Sequence, residues 1–144
     1  MAEIELGVRF EKTSEILEPY PRFKDSPIIY ARSGLTTSSY SINLDGLVVL
    51  DMDSDNRVVR IEVLFFNAIQ YTPPVIAHGA SMYVNLENKE DVEQSLEFTM
   101  TRIGHDLSLL ASKADRLDEY TLGPGLTVLA RRGRLYGFRV SNVF

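Results

Sequence analysis

The chain has 144 residues, with a hydrophobic share of 44% and a charged share of 24%, which is typical of a folded globular protein and excludes collagen-like, coiled-coil and disordered classes. The net charge is −5 and there is no cysteine, so disulfides, thiolate zinc sites and cysteine nucleophiles are excluded. No apolar run is long enough to cross a membrane, and the first residues lack the pattern of a secretory signal. We therefore expect a single cytoplasmic domain over residues 1–144 with no membrane partner.

Residues 1–65 predict mainly β-strands. Apolar residues alternate with charged ones over 4–10, which is the pattern of a half-buried strand. Prolines at 19, 21 and 27 predict a loop, and 28–31 and 36–42 predict two further strands. The stretches 47–52 and 57–66 then flank the polar residues 53–56, which predicts a β-hairpin.

The stretch 88–118 predicts one long amphipathic helix. Asn88 is a suitable N-cap, and acidic residues crowd the first turn, where the helix dipole favours them. An apolar stripe follows at spacings of three and four: Val92, Leu96, Met100, Ile103, Leu107, Leu110, Ala114 and Leu117. The alternative is that Leu96, Phe98 and Met100 alternate along a strand ending near Gly104, so that only 106–117 is helical.

A second hairpin is predicted from 126–131 and 134–143, with Arg132 and Gly133 at its turn. It resembles the first one, which raises the hypothesis of duplicated modules at 46–65 and 125–143; the simpler explanation is that any two hairpins share alternation and a glycine start. The combined prediction is an α+β fold, with a mainly antiparallel sheet or small open barrel of about seven strands packed against the long helix.

The acidic segment 51–62 is the motif closest to a metal site, because its carboxylates fall at positions 1, 3, 5 and 12 of a calcium-binding loop. Its flanks predict strands rather than helices, and a hairpin places Glu62 roughly 20 Å from the tip at about 3.3 Å per residue. A weaker cation site formed by Asp51, Asp53 and Asp55 stays open, against the simpler interpretation of a solvated turn. No cofactor is expected.

Residues 25–64 carry a family resemblance. A short Ile-Ile-Tyr strand, a strand ending in Asp-Met-Asp, and the return strand Arg-Val-Val-Arg-Ile-Glu-Val resemble the YuzE-like family of small bacterial domains of unknown function. The sequence departs from that family at Asn56 and Arg60, where the pattern has glycine. The resemblance implies a small β-rich bacterial domain and carries over no catalytic residues.

The segment 63–86 contains no charged residue. Such a segment is either a core strand with a tucked loop or an exposed apolar patch that a partner covers. Tyr71, His78 and Phe66 are the candidate binding residues here, whereas we expect His105 to be an ordinary surface side chain. No nucleophile elbow, phosphate-binding loop or dinucleotide motif is present.

These observations favour a non-enzymatic protein-interaction domain of bacterial or phage origin, with an acidic inhibitor or immunity-type protein as its most specific form. One alternative is a homo-oligomeric structural protein that uses 63–86 as its interface, and another is a small ligand-binding or enzyme domain with a pocket near His78. Four arginines, at 131, 132, 134 and 139, make the second hairpin basic, but the net negative charge of the chain disfavours nucleic acid as a partner. The expected partner is a protein or a second copy of the chain.

Overall fold

The computed structural model describes residues 6–20, 25–34, 38–66, 73–86, 88–111 and 116–144, and over these ranges the chain forms thirteen strands and no helix. Six of the strands form one sheet in the order β2-β3-β6-β5-β4-β8, five form a second in the order β11-β12-β13-β10-β9, and β1 pairs with β7. The strands are β1 (Val8–Thr13), β2 (Leu17–Pro19), β3 (Ile28–Arg32), β4 (Tyr40–Leu44), β5 (Val48–Met52), β6 (Val58–Val63), β7 (Gly79–Val84), β8 (Val92–Gln94), β9 (Thr99–Ile103), β10 (Asp106–Leu110), β11 (Asp118–Gly123), β12 (Leu126–Arg131) and β13 (Arg134–Val140).

Both predicted hairpins are confirmed. β5 pairs antiparallel with β6, and β12 with β13. The first hairpin turns through Asn56 at a φ of 62°, and the second turns through Arg132 and Gly133 at φ of 52° and 73°. Asparagine and glycine reach this left-handed region at little cost, which is why the chain reverses at these positions.

The two large sheets share one strand order. Five consecutive strands, β2 to β6, lie in the order β2-β3-β6-β5-β4, and β9 to β13 lie in the corresponding order β9-β10-β13-β12-β11. Val48 opposes Val63 in the first hairpin as Leu126 opposes Val140 in the second, and both hairpins have a register shift near the turn. The predicted modules, which begin at Gly46 and Gly125, would instead match Val48 to Thr127, one residue away from this register. Duplication remains a proposal, with the shared strand order as its motivation.

The inner faces of the two sheets supply one hydrophobic core. Along β4 and β5 every second residue is buried, and the intervening residues are half-exposed. Most of the fully buried large side chains come from these two sheets: Ile42, Leu44, Leu50, Met52, Ile61, Leu107, Leu109, Leu122, Leu126 and Phe138. Leu6, before β1, and Met82, on β7, are also fully buried. Burial of alternate residues along β4 and β5 therefore leaves an outer face on the six-stranded sheet.

The predicted α+β class, its count of about seven strands and the helix over 88–118 are wrong. Over its described residues, that stretch forms β8, β9, β10 and the start of β11, so the alternative helix over 106–117 is wrong as well; 112–115 lie outside the described residues. The strand in that alternative is confirmed only in its second half, as β9 (Thr99–Ile103), because Leu96 and Phe98 lie before the strand begins. The helical spacing arose because breaks at Glu97 and Gly104, both with positive φ, shift the phase between short alternating strands. Pairing of β10 with β13, distant in sequence, then decides the structure.

The neutral segment 63–86 is divided between core and surface. Val63, Met82 and Val84 are buried in the core, whereas Val75 is 94% exposed. Residues 67–72 lie outside the described ranges. Over the part of the chain that the structure describes, there is also no helix long and apolar enough to span a membrane.

Candidate functional site

The outer face of the six-stranded sheet carries an excess of carboxylates. The register aligns Glu18, Ala31, Arg60, Asp51 and Ser41 in one row across five strands. A second row aligns Ile29, Glu62, Val49, Asn43 and Glu93. We call these two rows, together with Asp91, the acidic sheet face. It holds five carboxylates, from Glu18, Asp51, Glu62, Asp91 and Glu93, against the single guanidinium of Arg60.

Asp51 lies at the centre of this face. Its carboxylate accepts a hydrogen bond from the Ser41 hydroxyl at 2.5 Å. The Nε of Arg60 lies 3.7 Å from Asp51 Oδ2, which makes an ion pair but is too long for a hydrogen bond. Arg60 therefore offsets one negative charge, and Glu62 and Glu93 form no ion pair with any described residue. The face keeps a net negative charge that is open to solvent.

A shallow depression lies over β4, β5 and β8, and its space of about 610 Å³ includes open solvent. Its lining consists of Ser41, Asn43, Val49, Asp91, Val92 and Glu93. The backbone N–H of Ser41 donates to Asp91 Oδ1 at 2.7 Å, which fastens the start of β8 to β4. The depression is thus lined by two apolar residues, Val49 and Val92, and by the carboxylates of Asp91 and Glu93.

The short strand β8 is also held by Asp45, in the turn between β4 and β5. This carboxylate accepts hydrogen bonds from the Ser95 hydroxyl at 2.6 Å and from the N–H groups of Leu96 and Phe98 at 3.0 and 3.4 Å. Burial raises the pKa of Asp45, but these hydrogen bonds outweigh it and hold that pKa below its ordinary value. Asp45 thereby anchors the edge of the acidic sheet face as a fixed anion.

The three residues predicted as a cation site do not converge. Asp51 is directed to Ser41 and Arg60, whereas Asp53 Oδ1 accepts the N–H groups of Asp55 and Arg57 at 2.9 and 3.0 Å. Asp55 is exposed at the turn. Among the described residues there is no group of three or more metal-ligating side chains. Asp53 is thus a turn-forming residue, and the carboxylates divide between the turn and the sheet face.

The turn itself packs against β4. The hydroxyl of Tyr40 donates to Asn56 Oδ1, and the ammonium of Lys89 donates to the carbonyl of Ser54. Burial, together with the nearby negative charge of Asp53, raises the pKa of Tyr40 above its ordinary value. Tyr40 therefore stays a neutral hydrogen-bond donor at physiological pH.

The residues predicted to bind a ligand in the neutral segment do not form a described pocket. His78 is exposed, Phe66 is 47% exposed, and Tyr71 lies outside the described residues. A small groove, whose space of about 330 Å³ includes open solvent, is lined by Pro19, Tyr20, Ile28, Ile29, Tyr30, Pro73, Val140, Ser141 and Val143. Neither His78 nor Phe66 lines this groove. The Tyr30 hydroxyl at this groove already donates to the Pro124 carbonyl at 2.5 Å.

Elsewhere, the other histidine and a basic residue of the second hairpin make local contacts. The Nδ1 of His105 lies 3.2 Å from the carbonyl oxygen of Phe144. Arg139 forms an ion pair with Glu119 on β11. The positive charge of Arg139 is therefore matched within the same sheet.

The acidic sheet face could not be predicted from the sequence because the face depends on strand register. The sequence does show that Val49 and Asp51 alternate with apolar residues on one strand, and that Arg60 and Glu62 do so on the next, so that each pair lies on one face of its strand. No family model matches the chain, and comparison with curated proteins and with solved structures gives no match either. The YuzE-like resemblance of residues 25–64 therefore remains a prediction.

Proposed function

We propose that this protein is a non-enzymatic protein-interaction domain whose acidic sheet face binds a basic surface of a partner protein. The observation that supports this most is the register that places four carboxylates and one arginine on a single outer face, to which the hydrogen bond from Ser41 adds the carboxylate of Asp91. An acidic inhibitor of a basic protein, of the immunity type and of bacterial or phage origin, is the most specific form of the proposal. A cytoplasmic location fits the absence of cysteine.

The physical basis is charge complementarity on a rigid surface. Paired strands hold the carboxylates at fixed spacings, so that little conformational entropy is lost when a partner docks. A field of one sign over such a face steers an oppositely charged partner and speeds its association. The half-exposed Val49, which lies between Asn43 and Glu62, supplies apolar area within the acidic sheet face.

The test compares two variants that change the net charge by the same amount. The face variant carries Asp51→Asn, Glu62→Gln and Glu93→Gln. The control variant carries Asp55→Asn, Glu97→Gln and Asp118→Asn, three exposed carboxylates that belong to neither row of the face. Wild type and both variants are immobilised at equal density, and proteins captured from a lysate of the source organism are identified and then re-measured as purified partners.

The proposal predicts a basic partner that wild type and the control variant bind equally and that the face variant binds at least about tenfold more weakly, with affinity that falls as salt rises. Equal weakening in both variants would show only a net-charge effect and would contradict the proposal. Equal binding by all three proteins would also contradict it. Far-UV circular dichroism of the face variant confirms that its fold is retained.

A further inference from the structure

The strand β9 is an exposed sheet edge that carries few of the devices which protect such edges. It is the last strand of the five-stranded sheet and pairs only with β10 among the described strands. All five of its residues are exposed, with Ile103 at 61% and Met100 at 39%. It contains no proline, its register with β10 is regular, and Arg102 is its one charged residue. An edge of this kind is a template for pairing with another strand.

The outer strands at the other sheet edges do carry such devices. β2 has only three residues and includes Pro19. β8 also has three residues, with Glu93 in its middle and Asp91 just before it. β11 carries Asp118 and Glu119, and it packs against β7, where Gly79 lies directly against the Thr121 carbonyl. In the two-stranded sheet, β1 carries Arg9, Glu11 and Lys12, and every residue of β7 is buried or half-buried. Within the described part of the chain, β9 is thus the long, fully exposed edge, with Arg102 as its one charged residue.

The turn after β9 fixes which backbone groups point outward. Ile103 and Asp106 oppose each other across the two residues Gly104 and His105, so they form the hydrogen-bonded pair that closes this hairpin. Hydrogen bonding alternates along an antiparallel strand. The N–H and C=O groups of Met100 and Arg102 therefore point away from β10, toward solvent.

The outward N–H and C=O groups of Met100 and Arg102 are spaced so that they can hydrogen-bond to the same groups of β9 in a second copy of the chain. We propose that the protein forms a two-fold symmetric dimer in which β9 pairs antiparallel with β9 of a second copy, joining the two five-stranded sheets. With the axis at Thr101, each Met100 opposes Arg102 of the second copy, and each Thr99 opposes Ile103. All five residues of both strands then pair, and every outward N–H and C=O of Met100 and Arg102 gains a partner.

Charge and hydrogen bonding favour this register over its neighbours, and charge favours a second copy of the chain as the partner of β9. An axis at Arg102 would place two guanidinium groups opposite each other, which is unfavourable. An axis at Met100 would oppose Arg102 to Phe98, whose N–H already donates to Asp45 at 3.4 Å. The acidic chain presents at β9 an edge with no carboxylate, so the overall repulsion between two copies is weakest there. An isologous contact of this kind also closes, which limits the assembly to two chains.

The absence of cysteine makes the register directly testable. Residues at 101 would form a non-hydrogen-bonded pair with Cα atoms about 4.5 Å apart, within the range of about 4.4–6.8 Å that a disulfide spans. Under mild oxidation we expect Thr101→Cys to form a covalent dimer at least tenfold faster than Thr121→Cys, a matched exposed threonine on β11. A mixture of Thr99→Cys and Ile103→Cys should cross-link into the mixed dimer.

Sedimentation of the wild type and of one further variant completes the test. The wild type should show concentration-dependent dimerisation, and Met100→Pro should abolish it, because this change removes an outward N–H and leaves the ladder with β10 in place. Ile103→Lys provides a second disruption that does not alter the backbone. Equal cross-linking of Thr101→Cys and Thr121→Cys, a wild type that is monomeric at all concentrations, or dimerisation that persists in both disrupting variants would overturn the proposal.

Discussion

Gly137 on β13 tests the strand pairing that replaces the predicted helix. A Cβ atom added at this glycine would lie 2.1 Å from the carbonyl oxygen of Leu109 and 3.1 Å from the Cα of Leu110, both on β10. This close approach exists only because β10 is a strand that pairs with β13. The change Gly137→Ala should therefore force β10 and β13 apart.

The cost can be worked out from these contacts. The overlap is with backbone, which cannot rotate away as a side chain does, so overpacking costs about 1–3 kcal/mol. Separation of the strands also strains the hydrogen bond from the Ala111 N–H to the Tyr136 carbonyl, which is 2.7 Å long. A buried backbone group left without its partner costs about 1–3 kcal/mol. The sum of the two costs predicts a loss of about 2–6 kcal/mol, a large share of the stability of a domain of this size.

Urea denaturation followed by circular dichroism gives the free energy of unfolding of each protein. The matched control is Gly46→Ala, at a turn glycine whose φ is 67° and which has no atom within 4 Å of the added Cβ. Only its backbone conformation is penalised, at about 1–2 kcal/mol. If Gly137→Ala costs no more than Gly46→Ala, the pairing of β10 with β13 is not as described and the reasoning fails.

Three further predictions concern the turns around the acidic sheet face. The pKa of Asp45 is lower in the folded state, so the ionised carboxylate stabilises the fold fully above its ordinary pKa of 3.8, and this stabilisation is lost as pH falls through the folded-state pKa. Asp45→Asn should therefore lower the free energy of unfolding by about 1–2 kcal/mol at neutral pH and by little in acid. A cost that does not change with pH contradicts this prediction. Asp53→Ala should lower stability by about 1 kcal/mol to the same extent with and without calcium, because its carboxylate caps the turn; calcium-dependent stabilisation of wild type alone would instead support a metal site. The pKa of Tyr40 is raised in the folded state, so the neutral hydroxyl stabilises the fold fully below its ordinary pKa of 10.0, and this stabilisation is lost as pH rises through the folded-state pKa. The free energy of unfolding of Tyr40→Phe, which has no hydroxyl to ionise, should therefore fall less steeply at alkaline pH than that of wild type.

Local turn chemistry made the two hairpins predictable from sequence. Polar residues at 53–56 and the Arg132–Gly133 pair stand between alternating apolar stretches, and both mark the observed turns. The segment from β8 to β10 was not predictable in this way. Its strands are too short to show a long run of alternating residues. β8 pairs with β4 and β10 pairs with β13, and both of these partners are far away in sequence.

The candidate site was predictable only in its composition. The sequence shows the acidic excess and singles out Asp51, but it interprets this residue as part of an acidic turn with Asp53 and Asp55. The register moves Asp51 onto the sheet and beside Ser41 and Arg60. A shift of one residue in pairing would send the same carboxylate to the opposite face, so the face depends on contacts that only the folded chain reveals.

The most direct test of the central claim uses a photocrosslinking amino acid at two valine positions in cells of the source organism. Val49 lies on the acidic sheet face, and Val75, which is 94% exposed, lies in the neutral segment that is the alternative interface. We predict an adduct with a basic protein from position 49 and none from position 75. An adduct from position 75 alone, or none from position 49, would contradict the assignment of the acidic sheet face as the partner-binding surface.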